Sequence, residues 1–575
     1  MNNQRIAEIF NEIADMLELS KDSNIFEIRA YKKAALTIES LSEDVSEIIE
    51  KDGIEGLTEL NGIGKALAEK INEFIKTGKI KKYEELKKIY PIDFKNLTRI
   101  QGLGPKRAYS LYKNLNVSNI EDLKKVLSEK KIQTLPGFGK KSEEELENGI
   151  KLLESSKGRI LLGKALPEAE LIIKKLKSSG FVEKVVLAGS TRRMKETVGD
   201  LDILVISITP EKVMDFITKL PEVEKTIAKG VTKTTVWLKI GISCDIRVVP
   251  KESFGAAQQY FIGSKDHNVK VRQIAVKKGY KLNEYGLYDL KGKIIANEDE
   301  SNIYEKLGMQ YPEPEMRENR GEIELAKENK LPKLIRIDDI LGDLHIHSKY
   351  SDGLNTIEEM AIAAASLGRS YIGMTDHSKS EYVANGMDEK RVLRYFDEID
   401  KINEKLKNKI KILKSAETDI LKDGSLDFSD KVLEKMDYVL ASIHTNLNMN
   451  RQDMTKRILT AINSYKINII AHPTARLINQ RQPIEFDLDK VFQAAKDNNV
   501  VLEINSYPER LDLNDENILR AKEFNLLFSI NTDSHRTSNL ELLRYGIGMA
   551  KRGWLIKKDV INTLPYENLI KLFKK

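Results

Sequence analysis

The stretch Leu187-Ala188-Gly189-Ser190-Thr191-Arg192-Arg193-Met194-Lys195-Glu196-Thr197-Val198-Gly199-Asp200-Leu201-Asp202-Ile203-Leu204-Val205 decides the reading of the first half of the chain. Asp200 and Asp202 stand two apart in an apolar run, and the alternation of a β-strand sends both carboxylates to one face. Like charges held so close are costly without a cation between them, so the pair points to a divalent metal. A third carboxylate, Asp245, lies in Trp237-Leu238-Lys239-Ile240-Gly241-Ile242-Ser243-Cys244-Asp245-Ile246-Arg247-Val248-Val249, a second strand able to pair beside the first. An isolated Asp-x-Asp is common on protein surfaces. Three carboxylates, the Gly189-Ser190 turn and Arg193 together make a metal and triphosphate site.

Working outward, the surrounding texture is α/β or α+β from about residue 158, with strands expected at Val185 to Leu187, Leu201 to Val205 and within Thr235 to Val249. The preceding 150 residues read instead as short helices separated by glycine turns. Three turns repeat one pattern: Leu60-Asn61-Gly62-Ile63-Gly64-Lys65, Ile100-Gln101-Gly102-Leu103-Gly104-Pro105-Lys106 and Leu135-Pro136-Gly137-Phe138-Gly139-Lys140. Each precedes a helix, where paired glycines let backbone N–H groups approach a phosphate and a lysine supplies charge. One copy would be an ordinary helix–helix turn, but three copies in the same apolar frame argue for DNA-backbone contact. Between Leu60 and Ser110 twelve basic residues face five acidic ones, a surplus of seven. The whole chain carries only +6, so its remainder is near neutral and the basic excess sits around the first two turns.

Histidine distribution is equally uneven: six of seven lie between positions 345 and 535. Asp343-Leu344-His345-Ile346-His347-Ser348 sets two imidazoles at i and i+2 on one strand face, a chelating spacing, and Asp352 follows. Apolar runs then recur at Tyr371 to Met374, Tyr438 to Ala441, Ile467 to Ala471, Val500 to Ile504 and Leu526 to Ile530, the strand-then-helix rhythm of a parallel βα barrel. Runs along this half lead into His377, His444, His472, Asp533 and His535, and Glu417 closes a further segment. Ligand-type residues at the carboxyl ends of successive parallel strands open on one barrel face. The charged stretch Pro312 to Arg336, with Pro312, Pro314 and Pro332, reads as a linker.

Composition bounds the rest. A 575-residue chain that is 41% apolar and 32% charged is multidomain and globular, neither disordered nor fibrous. The single Cys244 excludes a disulfide framework and Cys-based zinc fingers. Met1 to Ser20 is patterned as an amphipathic helix and not a signal peptide, and no apolar run reaches the ~18–20 residues of a membrane span. A cytoplasmic, nucleoid-associated monomer is expected, with no membrane partner.

The three glycine turns resemble helix-hairpin-helix motifs, which implies DNA-backbone contact through Gly62, Gly64, Lys65, Lys70, Gly102, Gly104, Lys106, Gly137, Gly139 and Lys140. The aspartate strands resemble the nucleotidyltransferase superfamily. The run Gln259-Tyr260-Phe261-Ile262-Gly263-Ser264-Lys265-Asp266-His267-Asn268-Val269-Lys270-Val271-Arg272 narrows the resemblance to X-family DNA polymerases similar to polymerase beta, over roughly residues 1 to 315. That likeness implies two-metal nucleotidyl transfer with Mg²⁺ or Mn²⁺ held by Asp200, Asp202 and Asp245, and a triphosphate cradle of Gly189, Ser190, Arg193 and Gly199. Tyr260, Phe261 and Gly263 would line the sugar pocket. Asn268 and Arg272, four apart on a helix, would share a face toward nucleotide and minor groove. His267 is expected on the helix surface, in preference to a nucleotide contact. Lys70 aligns with the Schiff-base lysine of some relatives, and Tyr31 is kept, but Glu27 and Ala66 replace supporting lysines, which leaves lyase activity open.

Residues 340 to 575 resemble the polymerase and histidinol phosphatase (PHP) family, a distorted βα barrel. All nine of that family's ligand positions are filled: His345, His347, Asp352, His377, Glu417, His444, His472, Asp533 and His535. The resemblance implies hydrolysis at phosphorus in a cluster of Mn²⁺ or Zn²⁺, giving 3′–5′ exonuclease and, in some relatives, abasic-site endonuclease activity. The resulting expectation is a multidomain α/β protein: helix-hairpin-helix domains at 1–80 and 81–150, an α+β palm at 151–250, a nucleotide-selecting thumb at 251–315, a linker at 316–338 and a PHP barrel at 339–575. Its partners would be gapped or primer–template DNA and deoxynucleoside triphosphates. Two alternatives stay open at this level: a DNA-binding module fused to a small-molecule phosphatase, and a non-catalytic DNA-end scaffold.

Overall fold

The structure, a computed structural model, describes residues 2–574 except 20–23, 40, 42–43, 61, 99, 101, 156–157 and 408. The chain divides into two compact units, 1–157 with 479–482, and 158–478 with 483–575. Among the described residues no helix is long and apolar enough to cross a membrane.

The first unit is helical. Its amphipathic helices, beginning with Asn2–Leu17 and ending with Lys140–Ser155, turn their apolar stripes into one continuous core running from Ile6 to Ile150. The segments 1–80 and 81–150 share that core: Glu12 accepts a hydrogen bond from the Tyr83 hydroxyl at 3.0 Å, and Lys95 pairs with Glu8 at 2.9 Å.

The second unit holds both the aspartate strands and the histidine barrel. A five-stranded palm sheet runs in the order Lys184–Ala188, Asp200–Ile206, Ser243–Val248, Lys233–Leu238, Val223–Lys229. The expected stretch from Thr235 to Val249 is a hairpin of two strands. Alternation sorts the faces. Leu201, Ile203 and Val205 join a core with Ile172 and Leu176 of the helix Leu162–Ser178, whereas Leu204 and Ile206 pack on Phe254, Ala257 and Ile262 of the helix Phe254–Ile262. Asp200 and Asp202 therefore belong to the face covered by Phe254–Ile262. A second helix, Lys265–Lys277, and a three-stranded antiparallel sheet, 281–296, complete the thumb.

Residues 316–338, expected as a linker, are a packed strap. Arg317 is fully buried, pairs with Glu300 and lies over the rings of Tyr304 and Tyr311. Buried Glu322 accepts from the backbone of Asn319 and Arg320. The prolines that suggested a linker restrict the backbone, and Arg317 and Glu322 between them are buried and paired instead of solvated.

The barrel is built of parallel strands in two ladders. Gly342–Ile346, Tyr371–Met374 and Lys411–Lys414 form the first, and Glu417–Asp419, Leu440–Ser442, Ile469–Ile470, Val501–Asn505 and Phe528–Asn531 the second. Parallel bridges His377–Glu417 and Ile346–Ser534 join the ladders at both ends into a ring. Lys411–Lys414 escaped the sequence reading because lysines flank only two buried residues, Ile412 and Leu413.

Candidate active sites

In the palm, Asp202 and Asp245 are register partners on adjacent parallel strands, and Asp200 lies opposite Ser243. Burial, then the charges of Asp200 and Asp245, push the Asp202 carboxyl up to about 6. Burial also acts on Asp245, but Lys233 at 2.8 Å and a 2.6 Å hydrogen bond from the Thr235 hydroxyl outweigh it and hold that carboxyl below its usual range. The turn at Gly189 (φ 64°) brings the backbone so near that a Cβ there would stand 2.3 Å from Asp202 Oδ2. That cradle and the crowded carboxylates suit a hard divalent cation. Among the described residues, however, the three aspartates do not converge as tightly as the ligand groups of the barrel.

Arg193 follows the four-residue helix Gly189–Arg192. Its Nε donates to Glu318 Oε1 at 3.2 Å and its Nη1 to the carbonyl of Ile262. Gly263 leaves room for it, since a Cβ there would lie 3.0 Å from Arg193 Nη1. Gly199 sits beneath Arg159, and Ser190 is half-buried in the turn.

In the barrel, Glu417 is the hub. Its Oε2 faces His377 Nδ1 at 3.0 Å, His345 Nε2 at 3.3 Å and His347 Nε2 at 3.5 Å, while Oε1 faces His472 Nε2 at 2.8 Å and His444 Nε2 at 3.2 Å. Asp533 Oδ1 lies 3.2 Å from His347 Nε2 and 3.5 Å from His345 Nε2, and Asp352 Oδ2 lies 3.3 Å from His535 Nε2. All nine expected ligands fall into four overlapping groups whose ligand atoms lie within 4.8 Å of one another. Among the described residues, His345 Nε2, His347 Nδ1 and Nε2, His377 Nδ1, His472 Nδ1 and Glu417 Oε2 are buried without a hydrogen-bond partner. Dry imidazole and carboxylate atoms aimed at common points fit a metal cluster, because unsatisfied burial is otherwise costly. Asp533 (φ 53°) and His472 (φ 27°) hold positive φ, backbone strain located at the site itself.

The first unit repeats one backbone device three times. Gly62, Gly102 and Gly137 have φ of 80°, 81° and 81°, and Ile63, Leu103 and Phe138 each close the turn with a 3.0 Å bond to the carbonyl three residues back. Gly64 and Gly104 then precede the helices Lys65–Thr77 and Pro105–Leu115 with no side-chain cap, and Gly139 precedes Lys140–Ser155. Helix N-termini without a side-chain cap suit an anion. Lys65, Lys106 and Lys140 are exposed. Asn61, Arg99 and Gln101 lie outside the described residues. Arg107, counted in the basic surplus, is engaged internally: it donates to the Gly102 carbonyl at 2.6 Å and covers the Phe138 ring.

Comparison with known proteins finds four family matches along the chain. Helix-hairpin-helix families match residues 1–80 and 94–150, the DNA polymerase beta thumb matches 257–318, and the PHP domain matches 343–507. The DNA polymerase/3′-5′ exonuclease PolX of Bacillus subtilis (strain 168) is 37% identical over 578 residues, covering 100% of both chains. The chain belongs to the X-family DNA polymerases that carry a PHP domain. DNA polymerase lambda of Arabidopsis thaliana is 25% identical over 55% of this chain and 62% of its own. A probable phosphatase of Thermoanaerobacter sp. (strain X514) is 30% identical over 38% of this chain and 89% of its own.

In this X-family chain the thumb departs from expectation at one position. His267 is not on the helix surface: it is fully buried, with Nδ1 2.7 Å from Glu322 and Nε2 2.8 Å from the Tyr304 hydroxyl. The strap supplies Glu322, a partner invisible to local periodicity. Asn268 is buried, donating to the Tyr260 carbonyl at 2.7 Å and accepting from Gln259 at 2.7 Å, whereas Arg272, one helical turn on, is exposed. Tyr260 and Phe261 meet edge to face at 5.0 Å, with Arg247 over the Phe261 ring. Lys70 donates to the Ala66 carbonyl at 3.3 Å from an exposed helix face.

Several PHP-domain residues escaped the sequence reading. Glu503 accepts from His345 Nδ1 at 2.8 Å and from the His472 backbone N–H at 2.7 Å, while Asp419 faces His444 Nδ1 at 3.2 Å. Such outer carboxylates fix the tautomer and aim of a ligating imidazole. Asp376 accepts from the backbone N–H and hydroxyl of both Ser348 and Ser351. Glu503 carried a signal: a charged residue inside the apolar run Val500 to Ile504.

Proposed function

We propose that this DNA polymerase and 3′–5′ exonuclease fills short gaps in DNA repair, with Asp200, Asp202 and Asp245 serving nucleotidyl transfer and the nine PHP ligands serving hydrolysis. The observation that carries the reading is the coexistence in one chain of two chemically different sites: carboxylate oxygens on the palm sheet, and mixed imidazole and carboxylate around Glu417. Divalent ions supply Lewis acidity at each, with hard oxygens suited to Mg²⁺ and imidazoles to Mn²⁺ or Zn²⁺.

In this reading Asp200, Asp202 and Asp245 would hold the palm ions, and Asp245 would help deprotonate the primer 3′-hydroxyl. Gly189, Ser190, Arg193 and Gly199 hold the triphosphate, and Tyr260, Phe261 and Gly263 shape the sugar pocket. The uncapped helix starts at Gly64, Gly104 and Gly139, with their lysines, grip the DNA backbone without reading bases. Abasic-site cleavage belongs to the same PHP chemistry.

The phosphatase relatives favour a second reading of the barrel alone, hydrolysis of small phosphate monoesters. One experiment separates them: a 5′-labelled gapped duplex with and without nucleotides, in Mg²⁺ and in Mn²⁺, beside a monoester release assay. Asp200→Asn should lower extension by at least about a hundredfold and spare 3′ degradation. His345→Ala should do the reverse. Extension surviving in Asp200→Asn, or monoester release without DNA degradation, would overturn the assignment.

A further inference from the structure

The helix Leu543–Arg552, which belongs to the PHP domain, lies against the phosphate loop of the palm. Gly548 meets Met194 so closely that a Cβ would stand 2.6 Å from the methionine Cε. At the end of this helix Arg552 is almost wholly buried. Its Nη1 donates to the backbone carbonyl of Arg193 at 2.8 Å and to Glu318 Oε1 at 2.9 Å, and its Nη2 donates to Asp515 Oδ2 at 2.6 Å. Glu318 Oε1 is also the oxygen that Arg193 Nε reaches at 3.2 Å. Charges thus alternate along Arg193, Glu318, Arg552, Asp515 and Arg320, the last pair at 3.0 Å.

A half-buried glutamate on a phosphate-binding arginine is a difficulty for the polymerase. In a partly desolvated site a single carboxylate largely cancels the charge that an incoming triphosphate would meet. Arg552 removes that difficulty by sharing the same oxygen, so the Arg193–Glu318–Arg552 group keeps one net positive charge. Its second bond, to the Arg193 carbonyl, fixes the backbone from which the guanidinium projects. Among the described residues Arg193 Nη2 makes no hydrogen bond, which leaves that arm for a phosphate oxygen.

We propose that Arg552 of the PHP domain is a positioning residue for the polymerase: it offsets Glu318 and holds the Arg193 backbone, so that the nucleotide pocket is complete only with the C-terminal domain in place. The proposal rests on the assignment of Arg193 to the triphosphate. It makes the PHP domain part of nucleotide binding, independently of its own hydrolytic ligands.

The test is single-nucleotide incorporation on gapped DNA by the full chain, with kcat and the nucleotide KM measured separately. Arg552→Met keeps bulk and removes charge. It should raise KM about tenfold with a smaller change in kcat, and leave gapped-DNA affinity and 3′ degradation unchanged. Arg552→Lys should recover part of the loss. Adding Glu318→Gln to Arg552→Met should bring KM back toward wild type, and Glu318→Gln alone should lower KM below wild type. A packing defect would not be relieved by removing a carboxylate. An unchanged KM in Arg552→Met, or a raised one that Glu318→Gln does not relieve, overturns the proposal, and the single Glu318→Gln variant decides it should Arg552→Met misfold. Arg193→Met is the separate control: if it leaves KM unchanged, the triphosphate assignment itself fails.

Discussion

Asp202 stands directly opposite Asp245 across two parallel strands, with Gly189 closing the space on its other side. The three positions come from two strands and a turn of the palm; burial first, then the neighbouring charges of Asp200 and Asp245, raises the Asp202 carboxyl, and the cluster offers a seat for a cation.

Gly189→Ala tests that seat. The added Cβ would fall 2.3 Å from Asp202 Oδ2 at a φ of 64°, so the loop or the carboxylate must move. Incorporation in single turnover should drop about a hundredfold, with 3′ degradation unaffected. A near wild-type rate would show that the loop gives way harmlessly.

Glu503→Gln removes the charged partner of His345 while keeping its shape. Loss of an outer carboxylate typically costs about 10- to 100-fold in metal affinity or activity. Degradation of a 3′ end should fall by that amount, and metal titration of the purified protein should shift in parallel, with primer extension retained. Equal losses in both activities would point to misfolding instead.

Asp15 in the first helix has its carboxyl raised to about 6, by burial first and then by Glu18 and Glu12 against the opposing charge of Lys32. A native pKa above the unfolded value means that the folded chain binds the extra proton. The contribution to stability is present below the ordinary carboxylate range and is lost as pH rises through 6. Asp15→Asn should therefore increase hydrogen-exchange protection of Asn2–Leu17 at pH 8, by about 1–3 kcal/mol, and leave it unchanged near pH 4. A pH-independent effect would refute the electrostatic account.

Lys65 and Lys106, exposed beside the uncapped starts of two helices, should each account for about one phosphate contact. Replacing either with Ala should weaken gapped-DNA binding equally for unrelated sequences and flatten the log–log salt dependence by about one unit. Arg107→Ala should instead lower the stability of the helical unit, because that guanidinium is bonded to Gly102 and stacked on Phe138. A salt slope unchanged in the lysine variants would remove the glycine turns from the DNA interface.

Much of this molecule is written in local periodicity. Strand alternation placed Asp200 and Asp202 on one face, the repeated glycine pairs encoded three turns of matching backbone angles, and histidines following apolar runs lay at the strand ends of a barrel. Each depends on residues within a turn or a strand of one another, where spacing alone specifies geometry. Periodicity misled where the deciding partner was distant. His267 has the spacing of a surface residue, yet Glu322, fifty-five positions later, buries it. The strap 316–338 has a linker's composition, yet its charges find partners in the thumb and barrel.

The sequence by itself therefore determined which residue types could do chemistry and on which local element each stands. Tertiary structure alone decided that Glu417 gathers five imidazoles, that Asp245 faces Asp202, that Glu503 orients His345, and that Arg552 shares Glu318 with Arg193. Those relationships join residues from separate strands and helices, in one case 234 positions apart. They follow from how the layers pack, which no single stretch of the chain encodes.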